Sequence, residues 1–133
     1  MIKAATAYAA TLACFLSIDA IWLTQMTGWL YRPLIGPLLA DSVVLAPAVL
    51  FYLLYAAGIV ALAIRPSSHW QGALVRGAIL GLTAYGTYDL TNHATLKGWP
   101  LAITLADMAW GTALTAIGAV VGYMAASKVG RGR

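Results

Sequence analysis

The sequence has no glutamate, and its only acidic residues are Asp19, Asp41, Asp89 and Asp107. Charged residues make up 9% of the chain, where soluble domains carry about a quarter. A soluble protein so poor in charge would expose large apolar patches and aggregate. The single cysteine, Cys14, lies in an apolar run, so it can form no internal disulfide and says nothing about redox compartment. Only two histidines are present, His69 and His93, with no His-Glu-x-x-His or paired-cysteine pattern, and no metal is expected. A phosphate loop of the Gly-x-Gly-x-x-Gly type is missing, and no cofactor is expected. Ser17 is the one serine well inside an apolar run and has no base at a defined spacing, which argues against Ser/His/Asp catalysis.

What the chain does have is apolar length. Its 133 residues are 62% hydrophobic, with a mean hydropathy of +0.82. About 20 mostly apolar residues are needed to span a bilayer, and four segments qualify. They run from about Ala5 to Met26, Ser42 to Ile64, Gly72 to Leu90 and Pro100 to Met124. Pro33, Gly36 and Pro37 break the stretch after the first; Asp41 or Ser42 is placed to cap the second, and Pro47 lies in its first turns. Arg65-Pro66-Ser67-Ser68 ends the second, and Lys97-Gly98-Trp99-Pro100 forms a turn that opens the fourth. The first run is not expected to be a cleaved signal peptide, because it is long, carries Asp19 and lacks a small-residue cleavage site. The fold class is therefore an all-α integral membrane protein: one domain, a four-helix transmembrane bundle, up-down-up-down.

The net charge of +4 does not point to nucleic acid, because the basic residues form no cluster and sit at the ends of apolar runs. Membrane lipid with anionic headgroups is the expected partner. Four spans put both termini and the middle loop on one side, with Lys3, Arg65, Arg76, Lys128, Arg131 and Arg133. Only Arg32 and Lys97 fall on the other. The positive-inside rule then assigns both termini to the cytoplasm. The segment from Thr27 to Asp41, with Trp29 and Tyr31, is expected to lie on or dip into the outer leaflet, partly helical. Trp70 and Trp99 read as interfacial anchors on opposite sides. Gly77 and Gly81, and Gly118 and Gly122, form two Gly-xxx-Gly pairs, read as internal helix packing, with a homodimer face as the alternative.

Three aspartates fall inside spans, where a charged group is costly and usually functional. The topology brings Asp19, Asp89 and Asp107 to the outer half of the membrane. Each has polar or aromatic company at helical spacing. Asp19 precedes Trp22 by three residues. Thr104 and Trp110 flank Asp107 by one turn. Asp89 has Tyr85 behind it, Tyr88 beside it, and Asn92 and His93 ahead. If the faces converge, they line a polar pocket opening outward and floored by Gly81 and Gly111. Three carboxylates cannot all ionise cheaply in one low-dielectric site. Alternatively, Arg32, Lys97 and His93 pair with the aspartates and pin the helices together.

Several stretches are distinctive: Ser17-Ile18-Asp19-Ala20-Ile21-Trp22-Leu23, Tyr31-Arg32-Pro33-Leu34-Ile35-Gly36-Pro37, Phe51-Tyr52-Leu53-Leu54-Tyr55, Tyr88-Asp89-Leu90-Thr91-Asn92 followed by Ala94 to Pro100, and Thr104 to Gly111. Together they resemble the bacterial membrane-protein family known as domain of unknown function 2177. The resemblance covers nearly the whole chain. It implies a four-span protein of the bacterial inner membrane and supplies no activity. It places Asp19, Asp89, Asn92 and Asp107 inside characteristic motifs, whereas His93 is outside the pattern, which weakens an Asp89/His93 metal site further. The expected ligand-binding residues are Asp19, Trp22, Tyr88, Asp89, Asn92, Thr104, Asp107 and Trp110, for a small molecule or lipid that is bound or transported. A lipid-modifying membrane enzyme or subunit, or a structural partner, is the alternative.

Overall fold

Within hydrocarbon every backbone N–H and C=O must be satisfied inside its own segment, which makes apolar runs of this length helical. The computed structural model describes residues 1–131; Gly132 and Arg133, the latter counted above among the basic residues on the side of the termini, lie outside the described residues. Its helices are α1 (Ile2–Met26), α2 (Arg32–Ile35), α3 (Leu45–Ile59), α4 (Trp70–Thr95) and α5 (Leu101–Arg131), with no strand among the described residues. Three helical stretches are long and apolar enough to cross a membrane: Ile2–Leu38, Leu45–Ile64 and Leu101–Val129. At 26 residues α4 measures about 39 Å, long enough to cross a core of about 30 Å. Its polar residues, among them Arg76, Asp89, Asn92 and His93, leave it less apolar than the other three.

The first span is expected to end near Met26 with the segment from Thr27 to Asp41 partly helical, and that segment is helical as far as Leu38. The helix continues through a π turn, Thr27–Tyr31, into α2 and a 3-10 turn, Gly36–Leu38, and ends only at extended Leu39. Pro33 does not stop it, because it follows directly on the π turn, whose wider spacing leaves room for a ring with no N–H to donate. Neither Asp41 nor Ser42 caps the next helix. Val44 precedes α3 with no side-chain cap bond, and residues 39–44 serve as the linker back to it. The start of α4 is fixed by His69, whose Nδ1 accepts the Gly72 N–H at 3.0 Å. Gly98 alone among the described residues has positive φ, +73°, which the turn from α4 into Trp99 and Pro100 requires.

The helix α5 lies between α4 and α1. On one side Gly77 and Gly81 of α4 meet it closely: a Cβ on Gly77 would reach Ala119 Cβ at 2.8 Å, and one on Gly81 would overlap the Gly111 carbonyl. On the other side Gly122 makes room for Thr11 and Ala7 of α1, and Thr11 Oγ1 donates to the Gly118 carbonyl at 3.3 Å. Both glycine pairs are thus used inside the molecule, as close helix approaches in lipid favour. The helix α3 closes the core through Phe15, whose ring packs edge-on against Tyr52 and Tyr55 at 6.1 and 5.3 Å. Tyr55 in turn hydrogen-bonds Thr115 at 2.9 Å. Outward-facing residues such as Leu54, Ile79 and Leu105 remain about 60% exposed, an apolar surface suited to lipid.

Candidate ligand cavity

At the end of the molecule where α1 runs on into α2, the helices diverge and leave a cavity of about 480 Å³. Its walls come from α1, the π turn, α2, the linker to α3, and facing residues of α4 and α5. Asp19 and Trp22 enter from α1, Tyr31 from the π turn, Tyr85 and Tyr88 from α4, and Asp107 and Trp110 from α5.

Two carboxylates organise these walls. Asp19 is 6% exposed and accepts two hydrogen bonds, from Tyr52 Oη to Oδ2 at 2.7 Å and from Trp110 Nε1 to Oδ1 at 3.0 Å. It therefore ties α1 to both α3 and α5. Asp107 Oδ1 accepts from Tyr31 Oη, and Tyr31 Oη accepts from Trp22 Nε1 at 3.0 Å. The two systems meet where the indoles of Trp22 and Trp110 stack, with centroids 4.2 Å apart and planes 9° from parallel. Charge-assisted hydrogen bonds of this kind are worth about 1.5–3 kcal/mol each in soluble proteins, and an aromatic pair adds about 0.5–1.5 kcal/mol.

The π turn makes this network geometrically accessible. Residues 22 and 31 are nine apart, which in an unbroken α-helix puts them about half a turn from each other. One wide turn absorbs the surplus residue and swings Tyr31 toward Trp22 and Asp107. Such turns recur at functional positions in helices.

Five of the expected site residues, Asp19, Trp22, Tyr88, Asp107 and Trp110, line this one cavity. Asp89, Asn92 and Thr104 are not in its walls. Asp89 is fully buried, and neither of its oxygens has a hydrogen-bond partner. The α4–α5 register brings it opposite Thr104: Gly81 faces Gly111 and Gly86 faces Met108, and the pairing continues antiparallel. Thr104 is itself buried and accepts from Trp99 Nε1 at 3.1 Å. Asp19 and Asp107 line the cavity, and Asp89 is buried one helical turn along α4 from the lining residue Tyr85.

Three expectations need correction. Asp19 and Asp107 are held by tyrosine and tryptophan rather than by Arg32, Lys97 or His93. Trp99 is no exposed anchor; it is 8% exposed and packs with Ile35 and Ile103, because α2 folds over it. Gly81 and Gly111 do not floor the cavity. Gly111 is instead covered by the Tyr85 ring, and Tyr85 presents to the cavity. Tyr52 was missed as a partner of Asp19, although Tyr52 and Tyr55 are three residues apart on one helix face, a spacing that marks a shared contact. Among the described residues no group of three His, Cys, Asp or Glu side chains could hold a metal ion.

No curated protein and no solved structure matches the chain. A family model does, over residues 4–124, which takes in α1 to α4 and most of α5 and contains every residue of the two carboxylate networks. The chain belongs to the family described as predicted membrane protein (DUF2177).

Proposed function

We propose that this is a four-span protein of the bacterial inner membrane, with α1, α3, α4 and α5 crossing and both termini cytoplasmic. In this reading it binds a small molecule or lipid headgroup in a cavity that opens to the outer face. The observation that carries it is the 480 Å³ cavity with Asp19 and Asp107 in its walls. Ligand sites typically occupy about 300–1,000 Å³ and combine apolar walls with a few placed polar groups. Orientation rests on the basic residues. Lys3, Arg65, Arg76 and Lys128 belong to the end remote from the cavity, and Arg32 and Lys97 to the cavity end.

Binding is favoured because both carboxylates are fixed in place by tyrosine and tryptophan donors and so present pre-set acceptors to the space. Asp19, Trp22, Tyr88, Asp107 and Trp110 form the contact wall. Asp89, Asn92 and Thr104 lie outside this wall, and Thr104 holds the Trp99 indole that lines it.

Native mass spectrometry of the detergent-purified protein beside Asp107→Asn tests this reading. The expected result is an adduct of defined mass on the wild type that is lost or reduced in the variant. Bare protein with only exchangeable bulk lipid in both would favour the purely structural role.

A further inference from the structure

We infer that the ligand of this cavity is an organic cation, an ammonium group bearing apolar substituents, supplied either as an amine lipid headgroup or as a free amphipathic amine. The inference rests on the cavity being a ligand site and adds the chemistry of its occupant.

Charge is the first argument. The inner walls carry Asp19 and Asp107, while the other two charged lining residues, Arg32 and Asp41, are exposed at the mouth and oppose each other. The interior is therefore acidic.

Hydrogen-bond capacity is the second. An anion needs N–H or O–H donors, and four donors of the walls, three indoles and one phenol, already point elsewhere. The indole N–H of Trp22 goes to Tyr31, that of Trp110 to Asp19 and that of Trp99 to Thr104. The Tyr31 hydroxyl proton goes to Asp107. Arg32 at the mouth and the Tyr85 and Tyr88 hydroxyls keep donors, and beside the inner carboxylates acceptor capacity remains. Asp19 has a bond at each oxygen, but among the described residues only Oδ1 of Asp107 receives one, which leaves Oδ2 for a ligand.

The third argument is aromatic. Trp22, Tyr31, Tyr85, Tyr88, Trp99 and Trp110 all line the space. Ring faces attract cations, most strongly quaternary ammonium groups enclosed by several rings, and they do so better when water is excluded. A carboxylate among such rings is the arrangement that a substituted ammonium satisfies best. A neutral apolar molecule would use the rings and leave the Asp107 oxygen without a partner.

The test is a titration of the wild-type protein in a nonionic detergent, followed by tryptophan fluorescence and calorimetry. Three probes of similar shape are compared: benzyltrimethylammonium, uncharged 2-methyl-1-phenylpropan-2-ol and anionic phenylmethanesulfonate. The cation is expected to bind at least about tenfold more tightly than the neutral probe, with the anion weakest. Asp107→Asn should remove most of that preference, bringing the cation-to-neutral affinity ratio close to one. If that variant does not fold, the cation-to-neutral ratio of the wild type still decides. Equal binding of cation and neutral probe, or preference for the anion, overturns the cationic ligand while the cavity stands as a site. Binding of none overturns both readings. Repeating the titration in nanodiscs of equal phosphatidylglycerol content, the remaining lipid being phosphatidylethanolamine in one and an uncharged monoglucosyl diacylglycerol in the other, separates the sources at constant surface charge. Weaker apparent cation binding in the first identifies the lipid headgroup, and equal binding identifies a free cation.

Discussion

Asp19 and Asp89 are both buried aspartates in apolar helices, yet they stand in opposite situations. Asp19 has a donor at each oxygen, whereas Asp89 has none. Removing Asp19 leaves an indole N–H and a phenol O–H unpaired. Asp19→Ala is expected to destabilise by about 2–4 kcal/mol, toward the lower end because polar contacts in membranes are individually weak. Asp89→Asn has no bond to lose and should lie within about 1 kcal/mol of wild type. Thermal unfolding of both variants in detergent checks the contrast, and an equal loss would mean that Asp89 has a partner in the membrane. The sequence identified both residues as exceptional, because an aspartate within an apolar run is visible as such. Their partners were not visible. Tyr52 lies 33 residues from Asp19 and Tyr31 lies 76 from Asp107, separations that only helix packing closes.

At the level of elements, the crossing of α4 and α5 is the tightest contact. A Cβ on Gly111 would overlap the Tyr85 ring, and one on Gly81 would strike the Gly111 carbonyl and Thr115. Gly81→Ala and Gly111→Ala are each expected to cost about 1–3 kcal/mol or to force the helices apart. Gly28→Ala should be neutral or slightly stabilising, since nothing lies within 4 Å of its Cβ position. Unfolding midpoints of the three variants check this. Deleting Gly28 removes the surplus residue of the π turn, and should turn Tyr31 off Asp107 and lower stability by at least as much as Tyr31→Phe. Deletion without effect would show that the turn does not set the Tyr31 geometry. The long helices were legible from apolar length and from Pro and Gly punctuation. The continuation of α1 beyond Met26 was not. A π turn has no clear sequence signature, and Pro33 and Gly36 read as breakers until the turn that accommodates Pro33 is seen. The His69 cap on α4 was hidden similarly, because serine and aspartate dominate expectations for that position.

For the whole molecule, α4 is the deciding helix: it is long enough to cross but more polar than the other three long helices. Its place beside α5, through Gly77, Gly81 and Tyr85, gives its small residues a buried face and leaves Leu74, Ile79 and Leu82 outward. A crossing α4 puts the cavity on one side of the membrane, formed by the ends of four spans and roofed by α2. The most direct measurement is labelling of single cysteines by a membrane-impermeant maleimide in intact cells, in a Cys14→Ala background. Val43→Cys reports the cavity mouth, Ser68→Cys the turn before α4, and Lys97→Cys the turn after it. The expected result is labelling of Val43→Cys and Lys97→Cys from outside, with Ser68→Cys labelled only after the membrane is opened. Lys97→Cys sharing the behaviour of Ser68→Cys would show that α4 does not cross, and labelling of Ser68→Cys alone would turn the cavity to the cytoplasm; either would contradict an outward-opening, four-span ligand site.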